Sequence, residues 1–417
     1  MGERAAAGPA PARRTAERRS PARHLRIVGR APATRAQRAH VARRDLRLLW
    51  GAAAALTAIG LVMVLSAGSV SATQGYDGNA FWYFQRQVLY AVAGIAAAAV
   101  VSRMRPGAWK AISVPLLAVS ALGMLIAAHP TSGTAMYGAS RWIDLGPLTI
   151  QPSEFAKLGL VAFTATVLAA RFGHLDEPRQ LLLPLGPVVG LVALLGVAQS
   201  DLGTTVILVG SVLLLLFIAG VRLRYLAIAS AVGAIGAAAL IVGEAYRRTR
   251  FFDAWLDPWS DPQNGGYQLI QGLIAFGSGG WFGTGLGTSR AKWDFLPNAH
   301  SDFIFAVIGE ELGLIGALLV VAAFGVFILA GIRIAVHATT TFERLLAAGI
   351  TCWIGLQAII NLGAVTGLLP ITGVPLPLVS FGGTALVVTL VGVGALAGIA
   401  RAQIRPGTGG RPARASA

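Results

Sequence analysis

Residues 48–72 read LLWGAAAALTAIGLVMVLSAGSVSA, 25 positions without a charge. A soluble helix keeps a polar face, and this stretch has none. At 1.5 Å per residue it is long enough to cross the roughly 30 Å hydrocarbon core of a bilayer. Nine similar runs follow, near 87–103, 111–128, 153–170, 181–198, 203–220, 225–244, 303–331, 346–368 and 381–400. The expected fold is therefore an all-α integral membrane protein with ten transmembrane helices. The composition agrees: of 417 residues 55% are hydrophobic and 12% charged, against about 25% charged in a soluble domain. Too few charges remain to cover a globular surface, so a soluble or disordered protein is excluded.

Residues 1–47 carry 13 Arg against Glu3, Glu17 and Asp45, a local net of +10, among Ala, Pro, Ser and Thr. This segment is expected to be a disordered basic cytoplasmic tail that meets anionic lipids rather than nucleic acid. It is unlike a secretory signal, being too long and too rich in Pro. With the tail inside, Arg103, Arg105, Lys110, Arg171, Arg179, Arg222, Arg224, Arg333 and Arg344 all fall in inner loops, and the short outer loops hold only Arg86 and Arg141, as the positive-inside rule requires. Both termini are then cytoplasmic, with a membrane domain over 48–402, a tail over 403–417 and a long outer loop over 245–302 between helices 7 and 8. The lone Cys352 excludes a disulfide framework.

The unusual polar residues gather on the outer side. In Gln151-Pro-Ser-Glu-Phe-Ala-Lys157, Ser153 is a candidate helix cap, and Glu154 and Lys157 share one helix face. They read either as an ion pair anchoring the helix end or as a charged cavity lining beside Arg141 and Trp142. Asp201 either caps the following helix or shares that cavity. The outer loop contains Gly266-Tyr-Gln-Leu-Ile-Gln271, a Gly-rich run over 277–287, and Ala299-His-Ser-Asp302. At almost 60 residues it is expected to be ordered and in part membrane-dipping. The Gly-rich run lacks the Lys-Ser/Thr ending of a phosphate loop. His300, Ser301 and Asp302 are too close in sequence for a triad. Asp302 stands where polar loop becomes apolar span; partial desolvation there would make it a better proton acceptor near neutral pH, and the other reading is a helix cap. Glu310 and Glu311, two turns deeper, need partners. Ser380 and Thr384, in an irregular Pro- and Gly-rich segment, are candidate cavity hydroxyls.

Taken together, Arg141-Trp-Ile-Asp-Leu-Gly-Pro, Gln151–Lys157, Gly266-Tyr-Gln, Ala299-His-Ser-Asp-Phe-Ile-Phe305, Gly309-Glu-Glu-Leu-Gly313 and Gly373-Val-Pro-Leu-Pro-Leu-Val-Ser-Phe-Gly-Gly383 resemble the SEDS family of ten-span peptidoglycan glycosyltransferases over about 50–400. Leu296-Pro-Asn-Ala-His with Gly309-Glu-Glu is more similar to the division branch than to the elongation branch, and the Arg-rich tail to actinobacterial members. The resemblance implies polymerisation of lipid II at the outer face of the cytoplasmic membrane, at the division septum, with release of undecaprenyl diphosphate. Mg²⁺ or Mn²⁺ would assist, with Asp302 a possible ligand. It implies Asp302 as the base, and Arg141, Trp142, Glu154, Lys157, Asp201, Gln271, His300, Ser301 and Ser380 as substrate-binding residues. A class B penicillin-binding protein and other divisome membrane proteins would be partners. The chain departs from the family's commoner Pro, Thr and Tyr at Ser200, Ser301 and Phe381, without losing an ionisable group. A lipid II flippase would instead need polar residues spread across the bilayer, and a pure scaffold would have no use for Asp302.

Overall fold

The computed structural model describes residues 35–129, 134–136, 139–144, 146, 149–243, 248 and 251–404. Among the described residues ten helices are long and apolar enough to cross a membrane. They are α1 (Arg35–Gly75), α2 (Trp82–Val101), α3 (Ala108–Ala128), α4 (Pro152–Ala170), α5 (Pro178–Ala198), α6 (Leu202–Ala219), α7 (Leu223–Gly243), α9 (Ile304–Val336), α10 (Thr341–Val365) and α11 (Gly383–Ile404), with the short α8 (Tyr267–Ser278) in the long loop. The ten expected spans all form. The first begins at Arg35, inside the segment expected to be an unstructured tail, because Ala42, Asp45 and Leu49 are buried and extend the packed face upstream. Residues 1–34 and 405–417 lie outside the described residues, so most of the basic tail does too. Arg247, Thr249 and Arg250 also fall outside them.

The centre of the bundle is α10, which packs on α4, α6, α9 and α11. Its Trp353 is completely buried. Without a hydrophobic force between helices in lipid, close approach through small residues holds such bundles together. A Cβ at Gly394 of α11 would sit 2.6 Å from the Ala98 carbonyl of α2, so that crossing depends on a bare backbone. At the other extreme, α7 packs chiefly on α6 and buries only Leu226.

The all-α expectation needs one amendment. Three short strands, β1 (Thr134–Met136), β2 (Ala139–Asp144) and β3 (Thr149–Ile150), form an antiparallel sheet in the order β1-β2-β3 between α3 and α4. The long loop is ordered over its described part: α8 packs on α9, with the Phe276 ring 5.5 Å from that of Phe305.

The Gly-rich run has a structural task. Helix α9 breaks at Gly313, whose φ of 69° and ψ of −170° are non-helical. In an unbroken helix the amides of Leu314 and Ile315 would bond to the carbonyls of Glu310 and Glu311. Here those carbonyls accept from Thr284 N (2.9 Å) and Gly285 N (3.1 Å), while the amides of Leu314 and Ile315 donate to Gly280 O (2.8 Å) and Trp281 O (3.2 Å). The loop is thus spliced into the break, and these four released groups each have a partner. Glu310 and Glu311 have the partners their burial demands. Glu310 accepts from Arg290 N (2.8 Å) and Ser289 Oγ (2.5 Å), and Glu311 from Ser66 Oγ (2.6 Å) and Ser289 N (3.2 Å).

A Cβ at Gly279 would lie 1.9 Å from the Gly309 carbonyl, whereas one at Gly277 meets nothing within 4 Å. Gly279→Ala should therefore destabilise the protein by about 1–3 kcal/mol through the clash. Gly277→Ala, at a helical position, should leave it unchanged or add up to about 1 kcal/mol. Thermal unfolding of the two variants in detergent checks the contrast.

Candidate functional site

Chain alternation brings the α1–α2, α3–α4, α5–α6, α7–α9 and α10–α11 connections to one end of the bundle. At that end they enclose a cavity of about 870 Å³. It is lined from α2 by Trp82, Tyr83, Arg86 and Tyr90, from the sheet by Arg141, Trp142 and Asp144, and from the α5–α6 turn by Ser200, Asp201 and Thr204. Tyr267 and Gln268 of α8, the segment Pro297–Asp302 except Ala299, and Thr372 to Thr384 in part complete the wall. The sheet decides the placement of Arg141 and Trp142, because β2 is held against α3 and α4 rather than trailing through a loop.

Asp201 does both things its sequence position allowed. Its Oδ1 accepts from Thr204 N (3.1 Å), capping α6, and pairs with Arg141 Nη1 at 3.2 Å. Its Oδ2 accepts from Gln151 Nε2 at 3.4 Å. The Arg141 guanidinium lies 4.5 Å over the Trp142 ring. Before it, Ser200 has a φ of +58°. A proline ring fixes φ near −65°, so the commoner family residue would not fit this turn as it stands.

Asp302 lies on the cavity wall, 9% exposed. It does not cap α9; that position is Phe303, without a side-chain cap. The Ser301 hydroxyl donates to Asp302 Oδ1 at 3.0 Å, and the Asp302 carbonyl accepts from Asn361 Nδ2 at 2.7 Å. His300 is buried, with its ring 4.2 Å from that of Tyr83 and 5.8 Å from that of Phe381. Burial pushes its imidazole down to about 4, so it is neutral at neutral pH.

Four expected substrate contacts are not on the cavity surface. Glu154 and Lys157 are each 1% exposed and form a buried ion pair of 2.7 Å behind the wall, which fits neither the lining nor the interfacial anchor. Ser153 is not the cap: α4 starts at Pro152 after Gln151, and the Ser153 hydroxyl has no partner among the described residues. Ser380 is turned inward, where its Oγ accepts from Leu376 N at 2.8 Å; Thr384 does line the cavity. Gln271 stands one turn along α8 from the wall, where Gln268 is found instead, donating to Pro297 O at 3.2 Å.

Arg86 escaped the sequence reading as a site residue because the second span was placed to begin after it. The helix begins at Trp82, so Arg86 lies on the same face four residues on, its guanidinium 4.2 Å over the Trp82 ring. That ring in turn stacks 3.6 Å from Tyr76. Arg86 has no ion pair among the described residues, which makes it the cavity's unneutralised cation. An aromatic and an arginine four apart at an expected helix start were the available signal. Among the described residues no three His, Cys, Asp or Glu side chains converge to hold a metal. The donor set fits Mg²⁺ only in its usual enzyme mode, one carboxylate shared with substrate phosphate oxygens and water.

Comparison with known proteins matches residues 46–404 to the FtsW/RodA/SpoVE cell cycle protein family. A probable peptidoglycan glycosyltransferase FtsW of Geobacter metallireducens is 41% identical over 356 residues, covering 85% of this chain and 94% of that protein. The Mycobacterium bovis protein of the same description is 41% identical over 358 residues, covering 86% and 68%. Among solved structures, a chain of a peptidoglycan synthase complex that coordinates polymerization and crosslinking has a TM-score of 0.69 at 27% identity, over 86% of this chain and 98% of that one.

A neutral buried His300 sets a pH dependence. Its folded value of about 4 lies below the ordinary 6.5, so the unfolded chain takes up the proton first and stability falls as pH drops from about 6.5 towards 4. His300→Gln should flatten the stability–pH profile in that window by up to about 1.4 kcal/mol per pH unit. Wild-type-minus-variant unfolding curves at each pH measure it.

Proposed function

We infer the function from the premise that this chain belongs to the FtsW/RodA/SpoVE family: it is a peptidoglycan glycosyltransferase, and the cavity around Asp302 is its active site. The substrate is lipid II, and the cavity end of the bundle faces outward at the cytoplasmic membrane. The observation that carries this reading is the placement of Asp302 in a polar cavity that also holds Arg86 and Arg141, at one end of the bundle, away from the end where Arg103, Arg222, Arg333 and Arg344 lie. A polar path through the bilayer, which a flippase requires, would not be confined in this way.

In the reaction, the Asp302 carboxylate takes the proton of the acceptor sugar 4-hydroxyl as its oxygen attacks the anomeric carbon of the donor. The bond from that carbon to the phosphate oxygen breaks, and the electron pair leaves on undecaprenyl diphosphate. Ser301, donating to Asp302 Oδ1, orients the base. Arg86 and Arg141 present positive charge where the diphosphate charge develops. Trp142, Tyr267 and Gln268 offer faces and an amide to the sugars. Asp302 would hold a divalent cation, Mg²⁺ or Mn²⁺, which would supply further neutralisation of the leaving group's charge. The similarity to a synthase-complex chain and to FtsW proteins supports a class B penicillin-binding protein as partner, within the division machinery at the septum.

Asp302→Asn keeps the size of the side chain and removes the base. Polymerisation of lipid II by the full chain with a class B partner should fall about 10²–10⁴-fold, while thermal unfolding stays at the wild-type temperature. Equal polymer from both proteins would remove Asp302 from the reaction. No polymer from either, beside an active family control, would favour transport of lipid II or scaffolding instead.

A further inference from the structure

Two fully buried charges, Glu154 and Lys157, stand in the protein interior without reaching the cavity. Lys157 Nζ donates to Glu154 Oε1 (2.7 Å) and to Gln357 Oε1 (2.8 Å), and Trp353 Nε1 donates to the same Gln357 oxygen (3.2 Å). With two donors on its oxygen, the Gln357 carboxamide can face only one way. Its NH₂ group points to the α10–α11 connection and donates to Pro375 O at 2.9 Å. One turn along α10, the NH₂ group of Asn361 bridges Val374 O (2.8 Å) and Asp302 O (2.7 Å). Gln357 and Asn361 share a helix face. Together they clamp two consecutive carbonyls and the backbone of Asp302.

Stability does not account for the ion pair. Burying two charges costs about as much as their attraction returns, and apolar residues of the same volume often do better. An apolar pair, however, would leave Trp353, with the longer bond, as the only one of these two donors on the Gln357 oxygen. We propose that Glu154, Lys157 and Gln357 are positioning residues: they fix the Val374–Pro375 segment and, through Asn361, the place of Asp302, and none of them touches substrate. The link to catalysis rests on Asp302 being the base, as inferred above.

Two variants of the full chain test this. Lys157→Met removes the first donor. Gln357→Glu keeps an acceptor for Lys157 and Trp353 and replaces the donor to Pro375 by a carboxylate oxygen, at the cost of a second buried acid beside Lys157, so the unfolding temperature of each variant is read beside the exchange. The amides of Leu376, Ser380 and Phe381, now bonded to Ser380 Oγ, Leu376 O and His300 O, should exchange with deuterium about tenfold faster in both variants. In steady-state polymerisation with the class B partner, kcat should fall about tenfold, with KM for lipid II within about twofold of wild type. The double variant should be no worse than the worse single one, as members of one chain are not additive. A tenfold rise in KM for Lys157→Met with unchanged exchange would put the ammonium on the diphosphate and overturn the proposal. Wild-type exchange in Gln357→Glu would overturn it too. Exchange is read without turnover, so it judges the clamp even if Asp302→Asn keeps its activity.

Discussion

Hydrocarbon offers a peptide group no hydrogen bond, so backbone that leaves the helix near a membrane interior has to be answered from within the protein. Around this cavity the answers come from buried carboxamides. Gln87 donates to Ser380 O (3.0 Å), Gln357 to Pro375 O, and Asn361 to Asp302 O and Val374 O. Each of these side chains is almost completely buried. A carboxamide suits the task because it carries two donors and no charge to desolvate. The irregular wall that makes a site possible is therefore also the part of the molecule with the highest demand on buried polar residues.

The break in α9 follows the same constraint with backbone as the partner. Four ladder groups released at Gly313 are taken up by four groups of the Gly-rich loop, and the carboxylates of Glu310 and Glu311 fasten the next residues, Ser289 to Ala291. The loop that continues to Asp302 is thus tied to α9 at both its ends. Lying between two fixed points, it can hold a carboxylate at a set height without a long rigid element of its own.

The spans were legible because apolar length is a direct consequence of bilayer thickness. Where α1 begins was not, since whether an Arg- and Ala-rich stretch such as 35–47 forms helix depends on Ala42, Asp45 and Leu49 finding neighbours. The Glu154–Lys157 pairing followed from spacing alone, but the depth of the pair did not. Three residues apart gives a shared face and says nothing about which neighbour that face meets. Ser380 and Thr384 show the same limit: both are hydroxyls in one Pro- and Gly-rich segment, and only the turn at Leu376–Ser380 decides that one points in and the other into the cavity. The strands around Arg141 left almost no periodic signal, being at most six residues long.

Among the described residues three carboxylates line the cavity, and their engagements differ. Asp201 holds Arg141, Thr204 N and Gln151, so reaching towards a hydroxyl would cost it a cap and an ion pair. Asp144 accepts from Gly146 N at 2.8 Å and closes its own turn. Asp302 keeps its place by its backbone carbonyl, which leaves the carboxylate's position set without the helix end depending on it. A sugar transfer with a diphosphate leaving group needs one base and cationic surroundings, because the departing oxygen is already a weak base and wants no acid. The three acids thus differ in what their side chains hold: Asp201 a helix cap and an arginine, Asp144 a turn, and Asp302 the hydroxyl of its neighbour Ser301.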